Sequence, residues 1–210
     1  MVSLKSFFKY FMPLQKKSIT GRYGFMEYFL AIQRAKMAKK FIPDDGCCKK
    51  VLDIGCGAYP IFLLTSKYIE KYGIDKTSNI RNAVLRRVNI VNYEIEKGVS
   101  MPFEDGYLDA VTMLAVMEHI EHQSIPDLMR EIRRVLKPGG ICVITLPSPW
   151  SERVLRFMAR VKLVSASEMS DHKEPMGNKE LLSYIRGAGF ENIKFGYFEF
   201  FMNRWFVLRR

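Results

Sequence analysis

The chain has 210 residues, of which 48% are hydrophobic and 13% aromatic, a composition typical of a folded globular domain and not of a disordered chain. It carries 33 basic and 22 acidic residues, a net charge of +11. The sequence has no run of about 18 apolar residues, which argues against a transmembrane helix, and no signal-peptide cleavage site near the N-terminus.

The positive charge is concentrated at the two ends of the chain. Residues 1–50 hold 11 basic and 3 acidic side chains, whereas residues 51–150 are nearly neutral. Basic ends can attract an anionic substrate, a membrane surface or a nucleic acid, and charge alone does not choose among them.

The cysteines form no metal or disulfide framework. Cys47, Cys48, Cys56 and Cys142 contain no CxxC pair and have no histidines at zinc-finger spacing. We therefore expect a reduced, cytoplasmic protein, and the basic N-terminus leaves a peripheral membrane contact open.

The first elements are helical. Residues 4–14 carry apolar side chains at helical spacing, and a second amphipathic helix is predicted from about Tyr23 to Phe41. PDDG at 43–46 then interrupts the chain before the first strand.

Strands and helices alternate in the middle of the chain. The pattern predicts strands at 50–55, 72–76, 88–95, 108–116 and 141–146, and helices at 60–71, 78–87 and up to Lys137, where Pro138-Gly139-Gly140 ends the helix. This alternation is typical of βαβ units with a parallel sheet.

The last quarter is less regular. A helix at 151–163 and a polar stretch that is typical of a lid are followed by a helix that Asn178 would cap and that would end at Gly187 or Gly189. Two aromatic-rich strands, at about 191–201 and 204–209, are joined so closely that we expect an antiparallel hairpin.

VLDIGCGAYP, residues 51–60, runs from a strand into a glycine turn. A dinucleotide-binding GxGxxG would need its third glycine at Pro60, so that motif fails. Asp53 stands where it would repel a pyrophosphate but would favour the cationic part of an amino acid. Asp75, at the end of the second strand, is placed to bind ribose hydroxyls.

Six segments resemble one family in their order and spacing: VLDIGCG, YGID, MPFEDGYLDAV, VMEHIEH, RRVLKPGG and AGF. They are similar to class I S-adenosylmethionine-dependent methyltransferases, in the type 11 branch related to ubiquinone/menaquinone biosynthesis. The resemblance covers residues 48–147 well and 178–210 loosely.

The resemblance implies a Rossmann-like, doubly wound α/β sheet of seven strands, the last antiparallel, with helices on both faces. It implies a methyltransferase domain at 48–210 with a lid-like insertion at about 148–177, and residues 1–47 would form an N-terminal helical cover.

The resemblance also implies a site for S-adenosyl-L-methionine, with S-adenosyl-L-homocysteine as product. The residues expected at this cofactor are Arg22, Tyr23, Asp53, Gly55, Gly57, Tyr59, Asp75, Lys76, Glu94, Ile95, Leu114 and Ala115. Arg22 and Tyr23 would meet the cofactor's carboxylate, and Glu94 would lie at the adenine. Tyr59 departs from the family, which commonly has a third glycine there.

Two histidines are candidates for a general base. His119 would lie at the mouth of the active site, and His172 falls in the predicted lid. EHIEH at 118–122 matches neither HExxH nor HxxEH, so no metal site is expected. His122 is interpreted as a solvated helix residue.

The predicted function is methyl transfer to a small-molecule or lipid-like acceptor. The alternatives are an RNA or protein methyltransferase and a non-catalytic binding module of the same fold. The basic residues of the helix before Lys137 are interpreted as a solvated helix surface, so nucleic acid is not the expected partner.

Overall fold

The computed structural model describes residues 25–44, 49–57, 59–76, 88–95, 100–151 and 175–210. Its strands are β1 (Lys50–Ile54), β2 (Glu70–Asp75), β3 (Asn89–Asn92), β4 (Leu108–Leu114), β5 (Leu136–Pro147), β6 (Asn192–Phe198) and β7 (Asn203–Arg209). The described helices are α1 (Phe25–Lys39), α2 (Ile61–Leu64), α3 (Ile125–Val135) and α4 (Asn178–Gly187), and 3₁₀ turns lie at Met117–His119 and His122–Ser124.

The strands form one sheet in the order β3-β2-β1-β4-β5-β7-β6. The four strand pairs among β1 to β5 run parallel, and β7 lies antiparallel between β5 and β6. The predicted α/β fold, with its seven strands and its closing antiparallel hairpin, is confirmed. The carboxyl ends of β1, β2 and β4 therefore share one edge, where an open α/β sheet binds its ligand.

Both faces of the sheet are covered. Along β1, alternate residues face opposite layers: Leu52 packs in the cluster that includes α3 and α4, whereas Val51 packs with Ala35 and Ala38 of α1. Asp53 has the same parity as Val51, because side chains alternate along a strand. This places Asp53 on the side of the sheet that α1 covers.

The helix predicted at 60–71 is wrong in extent, because α2 ends after Leu64. Hydroxyl groups compete with the helical pattern here: Thr65 Oγ1 donates to the Ile61 carbonyl at 2.7 Å, and Ser66 Oγ donates to the Leu63 carbonyl at 2.8 Å. Tyr68 then enters the core, only 3% exposed, and its hydroxyl donates to the Ile42 carbonyl.

The predicted end of the helix at Lys137, before Pro138-Gly139-Gly140, is also wrong. The helix ends at Val135, and β5 already begins at Leu136, which pairs with Leu108. A register irregularity between Leu108 and Ala110 takes up the extra residues of the Pro-Gly-Gly segment. Tertiary pairing, and not the local turn signal, sets the start of this strand.

Asn178 does not cap α4; Gly177 holds the N-cap position. The Asn178 side chain accepts a hydrogen bond from Arg204 at 2.6 Å and donates one to the Tyr197 hydroxyl at 3.0 Å. The helix does end at Gly187, as expected. The helix predicted at 78–87 and nearly all of the one at 151–163 lie outside the described residues.

None of the described helices has the length and apolar composition that crossing a bilayer would need.

Candidate functional site

The glycine turn after β1 shapes the candidate site. Gly55 and Gly57 have φ of 67° and 66°, a left-handed conformation that glycine adopts without strain. A Cβ at Gly55 would come within 2.4 Å of Val116 Cγ2. This close approach of β1 to the segment after β4 requires glycine at position 55.

Asp75 holds this turn in place from the neighbouring strand. Its Oδ2 accepts a hydrogen bond from the Gly57 backbone N–H at 2.8 Å. The Tyr93 N–H donates to the Asp75 carbonyl at 3.1 Å, so the segment after β3, with Glu94 and Ile95, lies beside the end of β2. Lys76 follows Asp75 as an exposed residue.

Asp53 is a buried acid, with 5% of its surface exposed. Its Oδ1 accepts a hydrogen bond from Thr112 Oγ1 at 2.7 Å. Burial raises the pKa of Asp53 to about 7, against the opposing effect of the Thr112 hydrogen bond and with a contribution from the negative charge of Asp75. Near neutral pH a large fraction of this carboxyl group is therefore protonated.

An open cavity lies beside these groups. It measures about 400 Å³ when the open solvent at its mouth is included. The described residues that line it are Ala31, Arg34, Asp53, Gly55, Cys56, Tyr59, Ile61, Phe62 and Leu114. Tyr59, at the position where the family commonly has glycine, is thus part of the cavity wall.

The segment after β4 contributes a strained backbone position. Ala115 has φ of 59°, which is unusual for a residue other than glycine and is often seen at ligand sites. Its N–H donates to the Thr145 carbonyl at 2.9 Å. His119 ends the 3₁₀ turn that follows, so Leu114 ends β4 and Ala115 and His119 come directly after it in the chain.

The structure therefore brings several predicted site residues to one edge of the sheet: Asp53, Gly55, Gly57, Tyr59, Asp75, Lys76, Glu94, Ile95, Leu114, Ala115 and His119. Arg22, Tyr23 and His172 lie outside the described residues.

Sequence reasoning missed Arg34, which lines the cavity from α1. The helix was identified by its aromatic residues and its terminal lysines. The signal that would have revealed Arg34 is its setting among small residues: Ala31, Ala35 and Ala38 lie at helical spacings that place an arginine on the covered side of the helix.

Other candidate residues have structural partners. His122 Nδ1 lies 3.0 Å from Glu180 Oε1 of α4, so His122 is not simply a solvated helix residue. Asp105 and Glu131 both bind Arg134. In the described ranges, no three His, Cys, Asp or Glu side chains are grouped closely enough to hold a metal ion.

The basic residues around the end of α3 are similarly engaged with the protein itself. Arg133 Nε donates to the Gly189 carbonyl at 3.1 Å, and Lys137 Nζ lies 2.6 Å from Asp109 Oδ1. Arg130 pairs with Asp127. These contacts support the structural interpretation of the basic helix surface.

Comparison with known proteins identifies related sequences. Residues 52–144 match a family model described as a methyltransferase domain. A demethylmenaquinone methyltransferase of Symbiobacterium thermophilum is 30% identical over 117 residues, which are 51% of this chain and 46% of that protein. The match therefore spans about half the length of that relative.

Two further comparisons cover more of the chain. A ubiquinone/menaquinone biosynthesis C-methyltransferase of Desulfotalea psychrophila is 23% identical over 202 residues, 85% of this chain and 81% of that protein. The crystal structure of a SAM-dependent methyltransferase from Archaeoglobus fulgidus aligns with a TM-score of 0.67 at 19% identity, covering 86% of this chain and 94% of that one. The structural likeness supports the fold.

Proposed function

Since the chain belongs to the class I S-adenosylmethionine-dependent methyltransferases, we propose that it transfers the cofactor's methyl group to a small-molecule or lipid-like acceptor. The observation that carries this proposal is the cavity at the carboxyl end of β1, which is bounded by Asp53, Gly55 and Leu114. Two relatives are named for acting in quinone biosynthesis, which supports a quinone-type acceptor.

The described residues fit this cofactor. The glycine turn brings backbone rather than side chains to the ligand, and Asp75 holds that turn at the position from which a carboxylate binds a ribose. The cavity also contains charges of both signs, Asp53 and Arg34. When bound, the cofactor supplies an already activated methyl group on its sulfonium.

The protein then has to orient the acceptor, exclude water and receive a proton where the attacking group carries one. His119, in the 3₁₀ turn that follows β4, is our proposed base, and His172 remains a second candidate from the predicted lid. Gly55 packs against Val116, close in sequence to His119, so the turn that carries this histidine is fixed against the cofactor loop.

Apolar side chains exposed at the same edge of the sheet favour an apolar acceptor. We call Trp150, Tyr197, Phe200, Phe201 and Met202 the aromatic tip; they are between 38% and 94% exposed. The tip is a built feature: the indole N–H of Trp150 donates to the Phe201 carbonyl at 2.8 Å, and the Ser148 N–H donates to the Met202 carbonyl at 2.8 Å. Large exposed apolar groups are typical of ligand, protein or membrane contacts.

The test is a methyl-transfer assay with labelled S-adenosylmethionine and three acceptor pools: a reduced prenylated naphthoquinone in anionic liposomes, total RNA, and protein extract. We expect label in the naphthoquinol. His119→Ala should reduce turnover at least about tenfold while cofactor binding is kept.

Other distributions of label would overturn the proposal. If label appeared only in RNA or only in protein, the proposed small-molecule or lipid-like acceptor would be wrong. A protein that binds no cofactor by calorimetry would instead be a non-catalytic member of the fold.

A further inference from the structure

The cavity beside the glycine turn has opposite charges on two of its walls. Asp53 comes from the end of β1, and Arg34 comes from α1, which packs on the face of the sheet that carries Asp53. Gly55, in the turn itself, and Tyr59 also line the cavity. A ligand group that fills this space therefore meets an acid and a guanidinium together.

Arg34 has a donor to offer such a ligand. Its Nε is buried, and no acceptor lies within hydrogen-bond distance of it among the described residues. A buried donor without an acceptor is unfavourable, and the great majority of such groups in folded proteins have partners. The unsatisfied Nε in a cavity wall thus indicates an acceptor that a ligand supplies.

Glu199 does not meet this need. The positive charge of Arg34 lowers the pKa of Glu199, but burial of the carboxyl group outweighs it and raises that pKa overall. The Glu199 carboxylate accepts its hydrogen bond from the side-chain amide of Asn203. Arg34 and Glu199 therefore interact through their charges, and the guanidinium Nε is left for another anion.

We propose that Arg34 binds the carboxylate of the cofactor's amino-acid end, while Asp53 receives the ammonium group of the same zwitterion. This inference rests on the proposed function, because it assumes that the ligand is S-adenosylmethionine or its product. A planar guanidinium binds carboxylates with paired hydrogen bonds. A zwitterion matches both charges of the cavity, whereas a plain anion would be repelled by Asp53.

The assignment competes directly with the expectation that Arg22 meets this carboxylate. Both residues are arginines of the N-terminal part of the chain, so the same substitution at each position shows which of the two binds the carboxylate. Arg34→Ala and Arg22→Ala would each be titrated by calorimetry with S-adenosylhomocysteine. Arg130→Ala, an exposed position on α3, is the control.

A second ligand isolates the carboxylate. S-adenosyl-3-thiopropylamine is the same molecule without that group. We expect Arg34→Ala to weaken S-adenosylhomocysteine binding by about tenfold or more. The same variant should change binding of the decarboxylated ligand by less than about threefold. Arg22→Ala and Arg130→Ala should leave the ratio of the two affinities near the wild-type value.

The outcomes distinguish this inference from the proposed function. If the wild-type protein binds both ligands equally well, or if Arg22→Ala alone removes the preference for the carboxylate, the Arg34 assignment is wrong although the cofactor is bound. If neither ligand binds the wild-type protein, the proposed function itself fails. Thermal unfolding of each variant checks its fold, and Arg34→Lys, which keeps the charge, should retain part of the preference.

Discussion

Asp53 is a buried acid whose surroundings disfavour its ionised form. It lies at the end of a buried strand, only 5% exposed, and its hydrogen bond from Thr112 does not compensate for the burial of the carboxylate. The free protein therefore holds the proton on Asp53 up to about pH 7. A neighbouring cationic group would favour the ionised form and lower that pKa.

This environment predicts that Asp53→Asn stabilises the free protein at pH 8. The folded-state pKa lies above the unfolded value, so the contribution of Asp53 to the unfolding free energy falls as pH rises from about 4 to about 7. The shift corresponds to at most about 4 kcal/mol. Thermal melts should show the variant above the wild type at pH 8 and equal to it at pH 4; a lower melting temperature at pH 8 would contradict the assignment.

The same substitution should weaken cofactor binding and remove its pH dependence. In the wild type, affinity for S-adenosylhomocysteine should increase as pH rises through about 7, because the ammonium group prefers the ionised carboxylate. Calorimetry at pH 6 and pH 8 measures this. A pH-independent affinity in the wild type would show that Asp53 does not face the ammonium.

Asp75→Ala should weaken cofactor binding about tenfold, because it removes the charge-assisted contact that we propose between Asp75 and the ribose. The change also removes the acceptor of the Gly57 N–H. Asp75→Asn is the matched variant, since its amide oxygen still accepts that hydrogen bond but carries no charge. If Asp75→Ala and wild type have the same dissociation constant, the ribose assignment is wrong.

At the scale of elements, Arg204 joins three segments near the site. This side chain of β7 is 2% exposed. Its Nε donates to the Pro147 carbonyl at 3.2 Å, and its two terminal nitrogens donate to Asn178 Oδ1 at 2.6 Å and to the Met176 carbonyl at 3.0 Å. The end of β5 and the start of α4, which bound the predicted lid, are thus held to the same strand.

Arg204→Met should therefore lower the unfolding free energy by about 2 to 4 kcal/mol, because it keeps much of the apolar stem but leaves buried acceptors without a donor. Urea unfolding measures the change. Arg186→Ala, at an exposed position in the last turn of α4, is the control and should change stability by less than about 0.5 kcal/mol. Equal effects of the two substitutions would mean that the Arg204 contacts contribute nothing specific.

At the scale of the whole molecule, the prediction concerns residues 1–20, which lie outside the described residues. Their aromatic and lysine side chains led us to expect a cover over the acceptor site with a basic outer surface. Deleting them should leave a folded protein that still binds S-adenosylhomocysteine but has lost turnover or liposome association. Full activity of the truncated protein would remove the cover hypothesis, as would tight, salt-sensitive RNA binding by the intact protein without liposome binding.

The sequence by itself determined the sheet and the position of its ligand edge. Alternation of strands and helices, the glycine turn after β1 and the acid at the end of β2 are local signals, and each is readable because the residue type is constrained by its own backbone or by strand burial. For the same reason the position of Asp53, Gly55, Gly57 and Asp75 at that edge could be predicted from the sequence.

Tertiary structure alone decided what depends on partners distant in the chain. β5 begins at Leu136 because Leu108 pairs with it, although Pro138-Gly139-Gly140 is a strong local stop. The sequence does not distinguish Arg34 from the other arginines. Its role depends on the packing of α1 across the face that carries Asp53, which buries the Nε of Arg34 in the cavity wall. No local sequence pattern predicts that Arg34 and Asp53 line one cavity, because this requires two segments about 20 residues apart to pack on the same face of the sheet.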